Sequence, residues 1–355
     1  MTSISTMGQA IDQMERIKQV QSLFANYQAQ VTTGKKTNLF KGLGIDVLTS
    51  ERSRADLDSI DIYRRNIDIA DRRLKLMNNA VEEMKAQAIN VQNAITVQTQ
   101  QGEIELNTIH EIAQSVYTFL VDLVNSKDGD RYLFSGSDTQ TKPLVTTSLM
   151  TTYMDTRVDE WVNGTIDTDA LIASYTDNTA LVDATVGYAA TLSNAGNVFV
   201  RADDTKDIDY TVLGNDPAIR DLIVTIGMTA NLTGTLDEVT LDAGDPLTTV
   251  TAPGATAKDQ SDNFYRVFNQ LAAAINTAVD NLDTIGYRLS GIQAQLDGIG
   301  KDHQEDRNNL MSVISNVEDA DTTEAALKIK ILSTQLEASY RVTALLSDLT
   351  LTKFI

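Results

Sequence analysis

The stretch LDSIDIYRRNIDIADRRLKLMNNAVEEMKAQAINVQNAI, residues 57–95, decides the fold of this chain. Apolar residues recur through it at steps of three and four, and only Arg64 interrupts the register. The periodic positions are Leu57, Ile60, Ile67, Ala70, Leu74, Met77, Val81, Met84, Ala88, Val91 and Ile95. This spacing predicts one amphipathic helix with a coiled-coil seam. At a rise of 1.5 Å per residue the helix would be roughly 58 Å long, far longer than a helix of an ordinary globular domain.

Two further periodic stretches predict the helices against which this rod packs. A returning helix follows a break near Gly102, and a long helix begins at about Asp262. Their apolar positions are Ile109, Ile112, Val116, Leu120 and Leu123, and then Phe264, Val267, Phe268, Leu271, Ala274, Ile275, Ala278, Leu282, Ile285 and Leu289. We expect the 57–95 seam to form an intramolecular core with residues 104–124 and 262–297.

Both ends of the chain carry apolar seams of the same kind, and the C-terminal one predicts a single helical stretch from residue 313 to residue 349. The seam positions are Ile4, Met7, Ile11, Met14, Ile17, Phe24, Tyr27 and Val31, and then Val313, Val317, Leu327, Ile331, Ala338, Val342, Leu345 and Leu349. A single pair of helices buries too little apolar surface to offset the entropy of ordering it. We therefore expect the terminal helices to be poorly ordered alone and to order when copies of the chain assemble through these residues.

The middle of the chain, from about Pro143 to Lys258, is rich in Thr, Asp, Gly and Asn and has short alternating runs. The run GNVFVRADDTKDIDYTVLG predicts a hairpin, and Asp216 before Pro217 predicts the start of a helix that buries Leu222, Ile223 and Ile226. We interpret this block as one small α+β or mostly β domain.

These elements predict a mainly α fold with an α+β insert. Both termini would form a long antiparallel helical rod or coiled coil, with a β-rich outer domain between them. The predicted domains are a terminal coiled-coil assembly region of residues 1–40 and 305–355, a helical rod domain of residues 41–142 and 259–304, and a variable β-rich outer domain of residues 143–258.

Composition disfavours several classes of function. The net charge of −20 argues against nucleic acid and against an anionic membrane as a partner, because both attract basic surfaces. The N-terminus lacks the basic and apolar regions of a cleaved secretory signal, and no run approaches the ~18 apolar residues of a membrane span. The chain contains no cysteine, which excludes disulfides and thiolate chemistry.

No residues of the sequence form a catalytic, cofactor-binding or metal-binding pattern. His110 and His303 lie in helical patterns and are interpreted as ordinary seam or surface residues. The acidic cluster Asp203, Asp204, Asp207 and Asp209 lacks the glycine and distal glutamate of an EF-hand loop, so a solvated hairpin turn is the preferred interpretation. An enzyme is therefore disfavoured.

Three segments resemble the flagellin superfamily. Residues 27–57, YQAQVTTGKKTNLFKGLGIDVLTSERSRADL, resemble its N-terminal signature, and residues 315–355, with the QLEASY core, are similar to its C-terminal helix. Residues 125–144, NSKDGDRYLFSGSDTQTKPL, resemble the corner at which hook-associated members leave the helical rod and enter β structure. The residues that carry this corner are Arg131, Tyr132, Leu133, Phe134, Ser135 and Gly136.

The resemblance implies a structural role in the bacterial flagellum. It implies an extracellular location, export without a cleaved signal, and an export chaperone that covers the C-terminal helix. The 131–136 corner, the segment NDPAIRDLIVTIGMTANL at residues 215–232 and the ending LTLTKFI favour the hook–filament junction branch. Its partners would be copies of itself in a ring or tube, a hook-associated protein on the hook side and flagellin on the filament side. The alternatives are a filament-forming flagellin and an unrelated cytoplasmic coiled-coil scaffold.

Overall fold

A computed structural model of the chain describes residues 2–101, 106–177, 181–232 and 256–351. Its helices are α1 Thr2–Thr33, α2 Val47–Gln101, α3 Leu106–Val124, α4 Ser148–Val162, α5 Thr168–Thr176, α6 Asp183–Val186, α7 Pro217–Asn231, α8 Ala257–Glu318 and α9 Thr322–Leu351. Its strands are β1 Lys127–Asp128, β2 Arg131–Tyr132, β3 Phe199–Asp203 and β4 Lys206–Asp209, and 3-10 helices span Phe40–Asp46 and Leu192–Asn194. The predicted mainly α fold with an α+β insert is confirmed.

The chain divides into two compact units. Unit 1 comprises Met1–Ile62 and Lys301–Ile355, and unit 2 comprises Tyr63–Gly300. The three-part domain division of the sequence analysis stays a prediction.

Unit 2 is built around the predicted face of α2. The periodic positions from Ile67 to Ile95 are all buried, and they belong to one hydrophobic core with residues of α3 and α8. The Gln293 amide donates to the Asp71 carboxylate of α2 at 2.8 Å, and Lys85 pairs with Asp283. The predicted packing of this rod is thereby confirmed for residues 67–95, whereas Leu57 and Ile60 of the predicted seam are half-buried and belong to unit 1.

The insert in unit 2 contains the predicted hairpin and the predicted helix. Strands β3 and β4 pair antiparallel with Val200 opposite Ile208. Helix α7 begins where expected, because Pro217 is its first residue and the Asp216 side chain accepts from the Ala218 amide at 3.1 Å. Its burial extends beyond the predicted face and includes Thr225, as expected for a helix at the centre of a core.

Helices α4, α5 and α6 were not predicted, so the α+β alternative describes the insert better than the mostly β one. Trp161 of α4 is fully buried, donates to Thr168 Oγ1 at 3.1 Å and stacks on Phe264. Parts of the predicted outer domain, residues 178–180 and 233–255, lie outside the described residues, as do the predicted break at Gly102 and residues 352–355.

In unit 1, α1 packs along α9. Helix α1 ends at Thr33. The next residue, Gly34, has φ +70° and donates its N–H to the Gln30 carbonyl at 2.8 Å; glycine adopts this left-handed conformation at helix ends without strain. The single helical stretch predicted over residues 313–349 is divided between α8 and α9. The break occurs because Asp321 caps α9, accepting from the Thr323 and Glu324 amides at 2.9 and 3.0 Å.

Candidate assembly surface

Helix α9 carries two apolar stripes, and the first of them faces the interior of unit 1. Residues that are buried or half-buried recur at steps of three and four, which places them on one side of the helix. They are Ala325, Ile329, Leu332, Leu336, Ser339 and Thr343, and Lys328 and Ser333 beside them are also half-buried. Because α1 packs along α9, we assign this stripe to the contact between the two helices. Sequence reasoning missed it because its C-terminal half is occupied by small polar residues.

The second stripe of α9, which we call the outer stripe, is exposed and consists of the residues predicted for assembly. Leu327 is 58% exposed, Ile331 53%, Val342 44% and Leu345 62%, and Ala338 is also exposed. At 100° per residue this stripe lies roughly a third of a turn from the packing stripe. The Leu349 side chain lies outside the described residues.

At the end of α8, the predicted assembly residues continue with partial exposure. Val313 is exposed and Val317 is half-buried. These two residues precede the break, so they share no helix with the outer stripe.

The predicted seam of α1 divides between two environments. Ile17, Phe24 and Tyr27 are half-buried, whereas the remaining members with described side chains are exposed: Ile11 by 52%, Met14 by 61% and Val31 by 40%. The Gln21 amide donates to the Tyr340 hydroxyl at 2.8 Å and so ties α1 to α9. The side chains of Ile4 and Met7 lie outside the described residues.

A cluster of charged groups, which we call the Glu318 cluster, joins the helix ends of unit 1. Glu318 is the last residue of α8 and is 7% exposed. Its carboxylate accepts from Arg54 Nε and Nη2 at 2.7 and 2.6 Å, from Ser50 Oγ at 2.5 Å and from Lys35 Nζ at 3.3 Å. Lys35 also pairs with Asp319 at 2.6 Å.

The backbone beneath this cluster forms a short antiparallel bridge between the two helix breaks. The Lys36 amide donates to the Glu318 carbonyl at 2.7 Å, and the Ala320 amide donates to the Gly34 carbonyl at 2.8 Å. Lys36 Nζ donates to the carbonyls of Asn316 and Val317 at the end of α8, which have no amide partner within the helix.

The hydrogen bonds of the cluster shift the pKa of its members in the direction that favours ion pairs. Bonds from Arg54, Ser50 and Lys35 outweigh burial and lower the pKa of Glu318 to about 2. The bond from Lys35 lowers the pKa of Asp319, and the same bond raises the pKa of Lys35. Sequence reasoning missed this cluster, because Glu318 lies more than 260 positions along the chain from each residue that donates to it.

The predicted corner at residues 131–136 is a tightly packed turn within unit 2. Leu133, Phe134 and Ser135 are buried, and Arg131 and Tyr132 form strand β2. Lys127 Nζ lies 4.3 Å from the Tyr132 ring centroid. The Phe134 carbonyl accepts from the Gly214 amide at 2.8 Å, and Ser135 pairs with Leu213 in an isolated bridge.

Gly136 completes the corner with φ +61°, and a Cβ there would lie 2.8 Å from Leu213 Cδ2. The corner therefore packs the end of the helical region onto the segment that leads into α7.

The two histidines and the acidic hairpin contact other parts of the folded chain. His110 Nδ1 lies 2.6 Å from the Ala230 carbonyl oxygen, and His303 is buried. The Asp204 carboxylate at the β3–β4 turn accepts from the Tyr63 hydroxyl at 2.6 Å. Among the described residues no group of three His, Asp or Glu side chains could hold a metal ion. The helices of that same part of the chain include none long and apolar enough to cross a membrane.

Comparisons with known proteins identify the two ends of the chain. Residues 4–139 match the family model of the bacterial flagellin N-terminal helical region, and residues 272–355 match that of the bacterial flagellin C-terminal helical region. A comparison with curated proteins finds no match. Among solved structures, the chain is similar to a Vibrio parahaemolyticus protein described as a flagellar hook-associated protein, with 12% identity, a TM-score of 0.46, and coverage of 77% of this chain and 97% of that chain.

The two family matches include most of α1, all of α9 and the helices that lead to and from the Glu318 cluster. The N-terminal match extends through the corner at residues 131–136. The resemblance expected from the sequence is therefore confirmed at both ends of the chain: it belongs to the flagellin family of flagellar structural proteins.

Proposed function

We propose that this chain is a hook–filament junction protein of the bacterial flagellum, hook-associated protein 3, which acts as an adaptor between the hook and the filament. Flagellin-family membership supports a structural role in the flagellum. The buried corner at residues 131–136, the central helix α7 within the segment 215–232 and the ending LTLTKFI favour the junction branch, because junction proteins of this family resemble the chain in these three segments.

The outer stripe of α9 is the observation that carries the proposal of assembly. Leu327, Ile331, Val342 and Leu345 are large apolar side chains that unit 1 leaves open to solvent. Such a contiguous apolar row on a monomer marks an interaction surface. We assign neighbouring copies of the chain as the partner that covers this stripe. The exposed part of the α1 seam of a neighbouring copy would supply the apolar residues that pack on it. Copies joined in this way would form a ring or tube, and the net charge of −20 would limit association before assembly.

The remaining partners follow from the position of such a ring. A hook-associated protein would lie on the hook side and flagellin on the filament side. Before export, a chaperone would cover α9, because its outer stripe is uncovered until copies assemble and an exposed apolar surface promotes aggregation. Export would proceed without a cleaved signal, and the protein would reside outside the cell at the hook–filament junction.

The alternative function within the family is that of a filament-forming flagellin. A flagellin polymerises with itself into long filaments, whereas a junction protein does not. The test incubates the purified, helical protein with filament seeds under salting-out conditions and, separately, with isolated hook tips. Sedimentation and negative-stain microscopy report the products. A junction protein binds hook tips and stays soluble with seeds, whereas long filaments would establish the flagellin alternative.

The assembly surface itself is tested with substitutions in α9. The double variant Leu327→Gln with Leu345→Gln should keep the circular dichroism of the native protein and lose binding to hook tips, because both side chains are exposed in the protomer. Lys330→Gln, an exposed position on the same helix, is the matched control and should bind normally. Normal binding by the double variant, or normal incorporation of a chain lacking residues 1–30, would refute assembly through the terminal seams.

A further inference from the structure

The two places where the helices of unit 1 are interrupted lie side by side. Helix α1 ends at Thr33, and α8 ends at Glu318. The backbone bonds from Lys36 to Glu318 and from Ala320 to Gly34 join these interruptions, and Lys35 and Asp319 form the bridge pair. The chain therefore leaves α1 and enters α9 through one pair of hydrogen-bonded segments, which we call the crossing.

Side chains from three segments converge on that crossing. Ser50 and Arg54 come from the first two turns of α2, Lys35 comes from the loop after α1, and all three donate to the buried Glu318 carboxylate. A carboxylate that accepts a bidentate guanidinium pair is held more strongly than a neutral acceptor would be. A single charged group thus ties the end of α8 to the start of α2 and to the segment that leads out of α1.

We propose that the Glu318 cluster is a latch that holds the α1–α9 pair at this crossing, so that neutralising one carboxylate releases both terminal helices together. Release is joint because the same side chain fixes both interruptions and because α1 packs along α9. The proposal concerns the protomer alone and does not depend on a position in the flagellum.

Charged groups of both signs face the latch. Lys35 and Arg54 donate to the Glu318 carboxylate, and Lys36 donates to the carbonyls at the end of α8. Asp319 is a like charge that is itself paired with Lys35, and Asp58 is a carboxylate that acts on Arg54. The depressed pKa of Glu318 agrees with a carboxylate that stays ionised within the cluster. A cleft of about 230 Å³ beside the cluster, with Thr37, Asn38, Leu39 and Leu43 among its lining residues, gives solvent a path to it.

The test is hydrogen exchange on the full-length chain. Glu318→Gln keeps the side-chain shape and removes the charge. We expect exchange to become about tenfold faster or more at the Lys36 and Ala320 amides and along both α1 and α9, because hydrogen bonds to charged groups contribute more than neutral ones. Trp161 fluorescence, which reports unit 2, should be unchanged.

The matched control is Asp61→Asn, which removes a different ion pair of unit 1, the 3.0 Å contact with Arg307. It should leave exchange in α1 and α9 as it is in the native chain. Ser50→Ala removes one bond to the latch and should accelerate the same amides to a smaller extent, which provides a readout if Glu318→Gln does not fold.

Four results would overturn the proposal, three of them in the latch variants or the native chain. These three are unchanged exchange in both latch variants, acceleration in only one of the two terminal helices, and unprotected exchange at Lys36 and Ala320 in the native chain. Equal acceleration by Asp61→Asn would also refute it, since the effect would then belong to unit 1 as a whole.

Discussion

Two glycines of unit 2 differ in whether their positions could accept a side chain. Gly136 has φ +61°, and a Cβ there would lie 2.8 Å from Leu213 Cδ2 and 3.0 Å from the Gly196 carbonyl oxygen. Gly298 lies inside α8 with no atom within 4 Å of a Cβ. Glycine is therefore required at the corner, while in the helix it only costs conformational entropy.

We expect Gly136→Ala to lower the free energy of unfolding of unit 2 by about 1–3 kcal/mol, because the backbone conformation is strained for alanine. Gly298→Ala should raise it by about 0.5–1 kcal/mol. Urea unfolding followed by Trp161 fluorescence measures both. Equal effects of the two substitutions would mean that the corner does not need glycine.

The Glu318 carboxylate makes the stability of unit 1 depend on pH. Its pKa in the folded chain, about 2, lies below the ordinary value of 4.5, so the folded state binds its proton less readily than the unfolded state. Its stabilisation is complete above pH 4.5 and is lost as the pH falls from 4.5 towards 2.

We therefore expect the difference in unfolding free energy between the native chain and Glu318→Gln to be constant from pH 5 to pH 7 and to shrink below pH 4.5. Denaturant unfolding followed by circular dichroism at 222 nm measures it. A pH-independent difference would show that the ionised carboxylate contributes nothing, and the comparison with Glu318→Gln cancels the titration of the other carboxylates.

The corner between the helical region and the insert depends on the burial of one aromatic ring. Phe134 is fully buried, and its carbonyl accepts from the Gly214 amide. Phe119 on α3 is 41% exposed. The two residues therefore provide the same chemical change in different environments of unit 2.

Phe134→Ala should destabilise unit 2 by about 3–5 kcal/mol, as expected for a buried aromatic residue. Phe119→Ala should cost about 1 kcal/mol or less, because its ring is already partly in water. Thermal unfolding monitored by Trp161 compares the two. Similar losses would contradict the assignment of the corner as a packed junction.

Elements with a long apolar period were predicted from the sequence, and short helices within the polar middle of the chain were missed. The 57–95 pattern predicted the buried face of α2, since nearly every periodic position carries a large apolar residue. Helix α4 does carry an apolar period, with Met150, Met154, Val158 and Trp161 buried at steps of four and three, but it spans only 15 residues inside a block whose composition favoured short strands, and α5 spans only 9. The break between α8 and α9 was missed because the periodicity continues across it, while the cause of the break, the Asp321 cap, is local.

The candidate site was predictable only in part, for a related reason. Periodicity identified the outer stripe of α9, including Leu327 and Leu345. Large apolar residues recur at helical spacing in a surface that packs within the protomer and equally in one that packs on a neighbouring copy. The Glu318 cluster joins positions far apart in the chain, and a pairing of that kind leaves no local pattern.

Buried apolar surface is distributed unevenly between the two units. Within the described ranges, the main hydrophobic core is formed by residues from Ile67 to Ile299, all of them in unit 2. Unit 1 contributes Ile314, Ala325 and Leu332 as buried apolar residues outside that core. Because stability follows buried apolar area, unit 1 depends more on its ion pairs and on whatever later covers the exposed stripes.

We therefore expect unit 1 of the isolated protomer to unfold before unit 2. On heating, helical circular dichroism should decrease in a first transition while the fluorescence of Trp161, buried in unit 2, stays native. Leu332→Ala should lower only the first midpoint, since this side chain is 9% exposed, and Leu345→Ala should leave it unchanged, since that side chain is 62% exposed. A single transition seen identically by both signals would contradict this, because it would require unit 1 to draw its stability from the core of unit 2.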